Sequence, residues 1–150
     1  MSNIEDNQYY VDNLRPDDYY KGFLQLLEQL TVVGADCINY DDFLKQYDKL
    51  KSNVFVIRNK SNDKVIGTSS ILVEEKFIHS LSSVSHIEDV VVDREYRGLG
   101  LGRLLINHCI EESKKRGCYK IILDCEEKNA PFYTKVGFRI KNIQLSLYLK

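Results

Sequence analysis

Apolar residues return at helical spacing at Phe23, Leu24, Leu27 and Leu30, a stripe that predicts a helix capped by Asp17 or Asp18. Ahead of it, Tyr9 to Leu14 reads as a short strand. That strand stops at Arg15-Pro16, because the residue before a proline is pushed out of the helical region. Thr31 to Asn39, with Gly34, interrupts the pattern before a second amphipathic helix near Asp41 to Leu50. The period then changes. Asn53 to Arg58 is rich in β-branched and aromatic residues, Lys60 to Lys64 carries turn formers, and Val65 to Val73 resumes the extended pattern, together a β-hairpin. A polar stretch from Glu74 to Ser85 leads to Ile87 to Val92, an apolar run broken by Glu88-Asp89. A glycine loop follows, then a helix from about Gly102 to Arg116 whose apolar face is Leu101, Leu105, Ile106, Cys109 and Ile110. Gly117 ends it and Tyr119 to Leu123 reads as a buried strand. Asn129 caps a short helix with Pro131 in its first turn, and Phe138 to Leu149 is mostly extended. With no repeat or linker, residues 1–150 are expected to form one three-layer α/β/α domain on a mixed sheet.

Composition narrows the function. The 150 residues carry 21 Lys plus Arg against 22 Asp plus Glu, so no general positive field exists to hold nucleic acid or an anionic membrane, and any anion site must be local. The start lacks the basic-then-apolar order of a signal peptide, and no apolar run is long enough to span a bilayer; a soluble cytoplasmic protein is expected. Cys37, Cys109, Cys118 and Cys125 form no C-x-x-C pair, and with three scattered histidines they lack metal-ligand spacing. They are expected to be reduced thiols in or near the core, with no metal.

The chemistry concentrates in Arg97-Gly98-Leu99-Gly100-Leu101-Gly102-Arg103, between an apolar strand and a helix. Bare backbone amides and a helix dipole can surround a phosphate there. A dinucleotide fingerprint does not fit: Arg103 stands where its third glycine belongs, and Asp93 to Arg97 separate the loop from the strand. A nucleoside-triphosphate P-loop fails on its G-x-x-x-x-G-K spacing.

Ile87-Glu88-Asp89-Val90-Val91-Val92 followed by Tyr96-Arg97-Gly98-Leu99-Gly100-Leu101-Gly102 resembles the core motif of the GNAT acetyltransferase superfamily. Asn129-Ala130-Pro131-Phe132-Tyr133 with Gly137-Phe138 resembles its second element. Gln29-Leu30-Thr31, Lys76-Phe77-Ile78-His79, His86 to Val90 and Gly117 to Ile121 are similar, in order and spacing, to the branch that acetylates glucosamine 6-phosphate. The resemblance implies a mixed, largely antiparallel twisted sheet splayed at an acetyl-coenzyme A site, no metal, a homodimer, and direct attack of the amine on the thioester.

It further implies the roles of particular residues. Arg97, Gly98, Leu99, Gly100, Leu101, Gly102 and Arg103 would receive the pyrophosphate. Val90, Val91 and Val92 would bond the pantetheine amides, with the residue 90 amide as oxyanion donor, while Asn129, Phe132 and Tyr133 flank the thiol. Tyr133 would donate to the departing thiolate, since full proton transfer from a phenol to a thiolate is uphill by roughly 2 kcal/mol. Glu88 would orient sugar hydroxyls and help remove the amine proton through water, and Asp124 would lie near the amine. Thr31, Lys76, Phe77, Ile78, His79, Asp89, Val90, Tyr119 and Lys120 would complete the amino sugar phosphate pocket. The branch often carries a C-terminal arginine toward substrate, but Leu145 to Lys150 offers none, leaving Arg139 or Lys150 as stand-ins. His86 is expected to be structural and His108 solvated. Two other functions fit the same motifs: a GNAT enzyme for peptide or polyamine amines, and a non-catalytic acyl-coenzyme A binding module.

Overall fold

The structure, a computed structural model, describes residues 8–150. Five strands lie in sequence order: β1 (Tyr9–Asn13), β2 (Asn53–Asn59), β3 (Lys64–Glu75), β4 (Ser83–Val92) and β5 (Cys118–Ile122). The first four pair antiparallel, and β5 runs parallel to β4. Helices α1 (Phe23–Leu27) and α2 (Tyr40–Lys49) cover one face, α3 (Leu101–Lys115) covers the other, and α4 (Ala130–Val136) follows β5.

The period-2 alternation of strands produces these layers. Phe55, Ile57, Ile66, Ile71 and Ile87 point to one side, where Leu101, Leu105, Ile106 and Cys109 of α3 meet them. Val56, Val65 and Val91 point to the other, against Leu14, Phe23, Leu24, Leu26 and Phe43. Under the second face sits a buried ion network. Arg58 and Asp18 have no exposed surface; Arg58 donates from both Nη atoms to Asp18, from Nε to Asp12 at 2.9 Å and from Nη2 to the Asn13 carbonyl at 3.2 Å. Asp18 Oδ2 also accepts from the Arg15 amide at 2.7 Å.

Asp18 therefore serves the core rather than capping a long first helix. The expected helix is split into a 3-10 segment, Pro16–Lys21, and the short α1, because Gly22 sits at φ 87 between them. The polar stretch from Glu74 is also shorter than expected: β3 runs to Glu75 and β4 begins at Ser83. The intervening turn holds His79, Ser80 and Leu81 at φ 51, 58 and 62, a left-handed run that costs non-glycine residues about 1–2 kcal/mol each. Asn129 does not cap α4 with its side chain; a 3-10 turn, Glu127–Asn129, feeds that helix. Residues 139–150 join no ladder, so the expected last strand is absent from the sheet. Ile140, Ile143, Leu145, Leu147 and Leu149 of that segment are all exposed. Of the thiols, Cys109 alone is fully buried, while Cys37 and Cys125 are exposed. His108 is half-buried rather than solvated, its ring 4.5 Å edge-on to Phe55.

Candidate active site

Two irregularities of β4 make the site. The first is a register shift: Thr68 opposes Val91 and Ser70 opposes Glu88, so Ser69 of β3 faces both Asp89 and Val90 of β4. Asp89, at φ 53, absorbs the extra residue as a bulge. The Ser70 hydroxyl donates to the Glu88 carbonyl at 3.3 Å and braces it. Ser70 was not among the expected site residues, although the Thr68-Ser69-Ser70 break in an apolar strand is the signal that marks it.

The second is a splay. β4 and β5 pair only between Ser83–His86 and Cys118–Ile122, after which the strands part. One edge of Ile87 to Val92 is left without a strand beside it, and a ligand carrying amide groups can take that place. Val90 and Val92 pack toward α3 and Val91 toward α1 and α2.

The glycine loop lies at the mouth of this gap. α3 spans 15 residues and begins directly after Gly100, whose φ of 78 turns the chain into the helix. The first amides of a helix have no intrahelical acceptor and carry its positive pole. Gly102 answers a packing need: a Cβ there would come within 3.3 Å of the Phe132 ring. The two motifs are thus in contact, since Phe132 of α4 lies on the first turn of α3. Arg97 and Arg103 are exposed beside the loop, and Arg97 Nε donates to the Val92 carbonyl at 3.2 Å.

Tyr133 lies on the α3 side, edge-on to Phe132 at 4.9 Å and Phe138 at 6.1 Å. Burial first, then the neighbouring Cys125, Cys109 and Asp124, push its phenol up to about 12, so it is a proton-bearing donor throughout the neutral range. Cys125 and Cys109 were not expected near this hydroxyl. Glu88 is raised above its ordinary value by burial first and then by the charges of Asp124 and Asp89, so these two expected carboxylates act on the third. His79 stacks on Tyr119 with ring centroids 4.3 Å apart, and Lys120 Nζ lies 5.5 Å from that ring centroid. Lys76 is held elsewhere: it pairs with Glu74 at 3.2 Å, and His86 bonds the same carboxylate at 2.9 Å. Phe77 and Ile78 are exposed, and Thr31 is exposed just past α1, its amide bonded to the Leu27 carbonyl at 3.1 Å.

Residues 9–138 match the Acetyltransferase (GNAT) family. The chain belongs to the GNAT acetyltransferase family. GNAT members use acetyl-coenzyme A as co-substrate, and among the described residues no His, Cys, Asp or Glu cluster could hold a metal. A GNAT relative from Arabidopsis thaliana, a glucosamine 6-phosphate N-acetyltransferase, is 37% identical over 145 residues, covering 93% of this chain and 96% of its own length. One from Trypanosoma brucei brucei with the same name is 40% identical over 130 residues, covering 84% of this chain and 86% of its own. The crystal structure of the Arabidopsis thaliana enzyme superposes with a TM-score of 0.90 at 35% identity, over 95% of this chain and 99% of that one. The splayed five-stranded sheet between helical layers is thus the GNAT fold. For the GNAT loop, Gly100→Val is expected to weaken acetyl-coenzyme A binding at least tenfold, because a β-branched residue resists φ 78 and fills the approach to the loop amides. Calorimetric titration with acetyl-coenzyme A checks this.

Proposed function

We propose that the protein transfers the acetyl group of acetyl-coenzyme A to the 2-amino group of glucosamine 6-phosphate, giving N-acetylglucosamine 6-phosphate and coenzyme A. The observation that carries this is that Asp124, just past β5, lies near enough to raise both Glu88 and the Tyr133 phenol, with Asp89 also acting on Glu88. The curated names of the relatives favour this acceptor.

The residues divide the work. The loop amides from Gly98 to Arg103 hold the pyrophosphate, and the freed edge of β4 from Val90 to Val92 holds the pantetheine arm. The Val90 amide receives the carbonyl oxygen as it becomes an oxyanion, a donor worth about 10²–10³ in rate. Three carboxylates attract the acceptor as its ammonium, and the amine must then lose a proton to become nucleophilic. Glu88, with its affinity for protons raised by burial and its neighbours, takes that proton through water. Tyr133 donates to the sulfur as the C–S bond breaks; with its phenol near 12, outright transfer to a thiol of about 8.5 is uphill by about 5 kcal/mol, so it stabilises rather than supplies the proton. His79, Tyr119 and Lys120 receive the sugar phosphate, with Thr31 and Asp89 closing the pocket. Lys76 is available only by leaving Glu74.

The left-handed turn exposes Phe77 at 92%, beside Ile78 and Leu81. That tip, the apolar residues of 139–150 and the free edge of β5 support a homodimer in which each copy covers the other's apolar surface. Light scattering should then return twice the 17.5 kDa chain mass. The product would feed cytoplasmic UDP-N-acetylglucosamine synthesis; no helix among the described residues is long and apolar enough to cross a membrane.

Free-thiol release with glucosamine 6-phosphate, glucosamine and glucose 6-phosphate in parallel tests the acceptor. Turnover with the first and little with the others is expected; faster acetylation of a peptide or polyamine would overturn it. The rate should also fall on the acid side with an apparent pKa above 4.5, because the carboxylate form of Glu88 is required and is lost as pH drops through its raised value. Glu88→Gln should lower kcat/KM about 10²-fold at neutral pH and remove that limb; an unchanged profile would pass the role to Asp124.

A further inference from the structure

We infer that the enzyme also accepts acyl-coenzyme A donors longer than acetyl, with the added methylenes lying in an apolar cavity beneath α1 and α2. The cavity has a volume of about 450 Å³, and Asp89, the bulge residue of β4, is part of its lining. This rests on the assignment above of the Val90 amide to the thioester carbonyl. The Val90 side chain faces α3, as Tyr133 does, while the adjacent Asp89 lines the cavity on the other face, so an acyl carbon held at the Val90 amide would lie where the chain passes from one face to the other.

From Asp89 the lining passes to Ser70 on β3 and Val54 on β2, which are register partners. Two inter-strand steps make a path of about 10 Å across the sheet. Leu24, Leu27 and Phe43 roof it. The polar groups of the floor are already committed: Thr68 Oγ1 donates to the Phe55 carbonyl at 2.8 Å and Ser70 Oγ to the Glu88 carbonyl at 3.3 Å. Ser69 Oγ lies 3.4 Å from Cys109 Sγ, so apart from the Asp89 carboxylate the surface between the strands and the helices is mainly hydrocarbon. At the far end Asp42 and Gln46, both exposed, mark the way out to solvent. The cavity is therefore matched to an unbranched saturated acyl chain of medium length, which leaves His79 and Lys120 to the amino sugar and meets the acceptor site only at Asp89.

The reaction balances as for acetyl. The amine nitrogen bonds the acyl carbon, the C–S bond breaks with its electron pair passing to sulfur, and the proton lost by nitrogen through Glu88 is matched by one gained by the thiolate from water. Each methylene removed from water is worth up to about fourfold in affinity.

Binding of acetyl-, butyryl- and hexanoyl-coenzyme A, measured by calorimetry without any acceptor, tests the cavity independently of which amine is acetylated. Hexanoyl-coenzyme A is expected to bind at least tenfold more tightly than acetyl-coenzyme A. Val54→Phe and Leu27→Phe, which fill the cavity away from the reacting groups, should each abolish that gain and leave acetyl-coenzyme A affinity within threefold. Equal or weaker binding of the longer donors by the native protein, or a gain that survives both variants, would overturn the inference. Turnover of hexanoyl-coenzyme A with glucosamine 6-phosphate, read as an N-hexanoyl product by mass, is the second expected result. A protein that acetylates the sugar but neither binds nor uses the longer donors sinks the cavity assignment alone; one that binds them tightly yet acylates only another amine sinks the acceptor alone.

Discussion

Tyr133→Phe lowers kcat by two to three orders of magnitude and leaves acetyl-coenzyme A affinity within threefold. The substitution removes one hydroxyl and keeps the ring that packs on Phe132 and Phe138, so the walls of the site persist. What disappears is the donor proposed above for the departing sulfur, and a single pre-placed donor of this kind is worth about 10²–10³ in rate. Because burial and its neighbours push the phenol up to about 12, no basic limb from this residue should appear below about pH 11 in the native enzyme. Steady-state kinetics alongside cofactor titration separates the two quantities. A kcat within a factor of two of native would remove Tyr133 from the mechanism, and a matched loss of cofactor affinity would make it a wall of the site rather than part of the chemistry.

The largest effect on stability is expected from Asp18→Ala. It strands the Arg58 guanidinium, which has no exposed surface, with only Asp12 and the Asn13 carbonyl as partners. Removing one member of a buried pair costs about 3–5 kcal/mol, which in a chain of this size lowers Tm on the order of 10 °C. The double replacement Asp18→Leu with Arg58→Met should be milder, because no charge is left without a partner. Calorimetric melting of the three proteins decides between them; a single variant melting within 2 °C of native would show that water or another group reaches Arg58. Asp12 adds a pH dependence. Burial alone would raise its carboxyl, but the Arg58 bond, the Asn13 amide and the nearby arginines outweigh it and hold it below the ordinary 3.8. Its contribution to stability is present above that value and disappears as pH falls through the depressed native one.

The sheet was legible because its strands alternate: Phe55 and Ile57 separate from Val56 by period alone, and the structure sends them to opposite layers. The glycine loop and the Asn129 to Tyr133 segment were legible as motifs, and Phe132 on Gly102 explains why they occur together. What sequence could not give was set by partners distant along the chain. Asp18 has the composition of a cap, and only Arg58, 40 residues away, makes it a buried counter-ion. His108 follows a polar helical position, yet Phe55 of another element covers it. The last apolar stretch reads as a strand from its own pattern, but a strand needs a neighbour, and residues 139–150 have none among the described residues. Glu88 and Asp89 were singled out because two acids in an apolar strand are conspicuous; the exposed Cys125 beside Tyr133 carries no such contrast with its surroundings.

With acetyl-coenzyme A in the place proposed for it, the short β4–β5 pairing would also tie the stability of the fold to the supply of its co-substrate. Only Ser83–His86 tie the last strand to the rest of the sheet, so β5 and α4 are the part with the fewest ladder bonds to lose. A molecule that fills the gap acts as a removable strand, and its binding free energy is added to that of folding. At a free concentration one hundred times its Kd this amounts to about 2.7 kcal/mol. In a cell whose supply of activated acetyl groups rises and falls, the lifetime of the chain against proteolysis would rise and fall with it, and enzyme abundance would follow nutrient state without any change in synthesis.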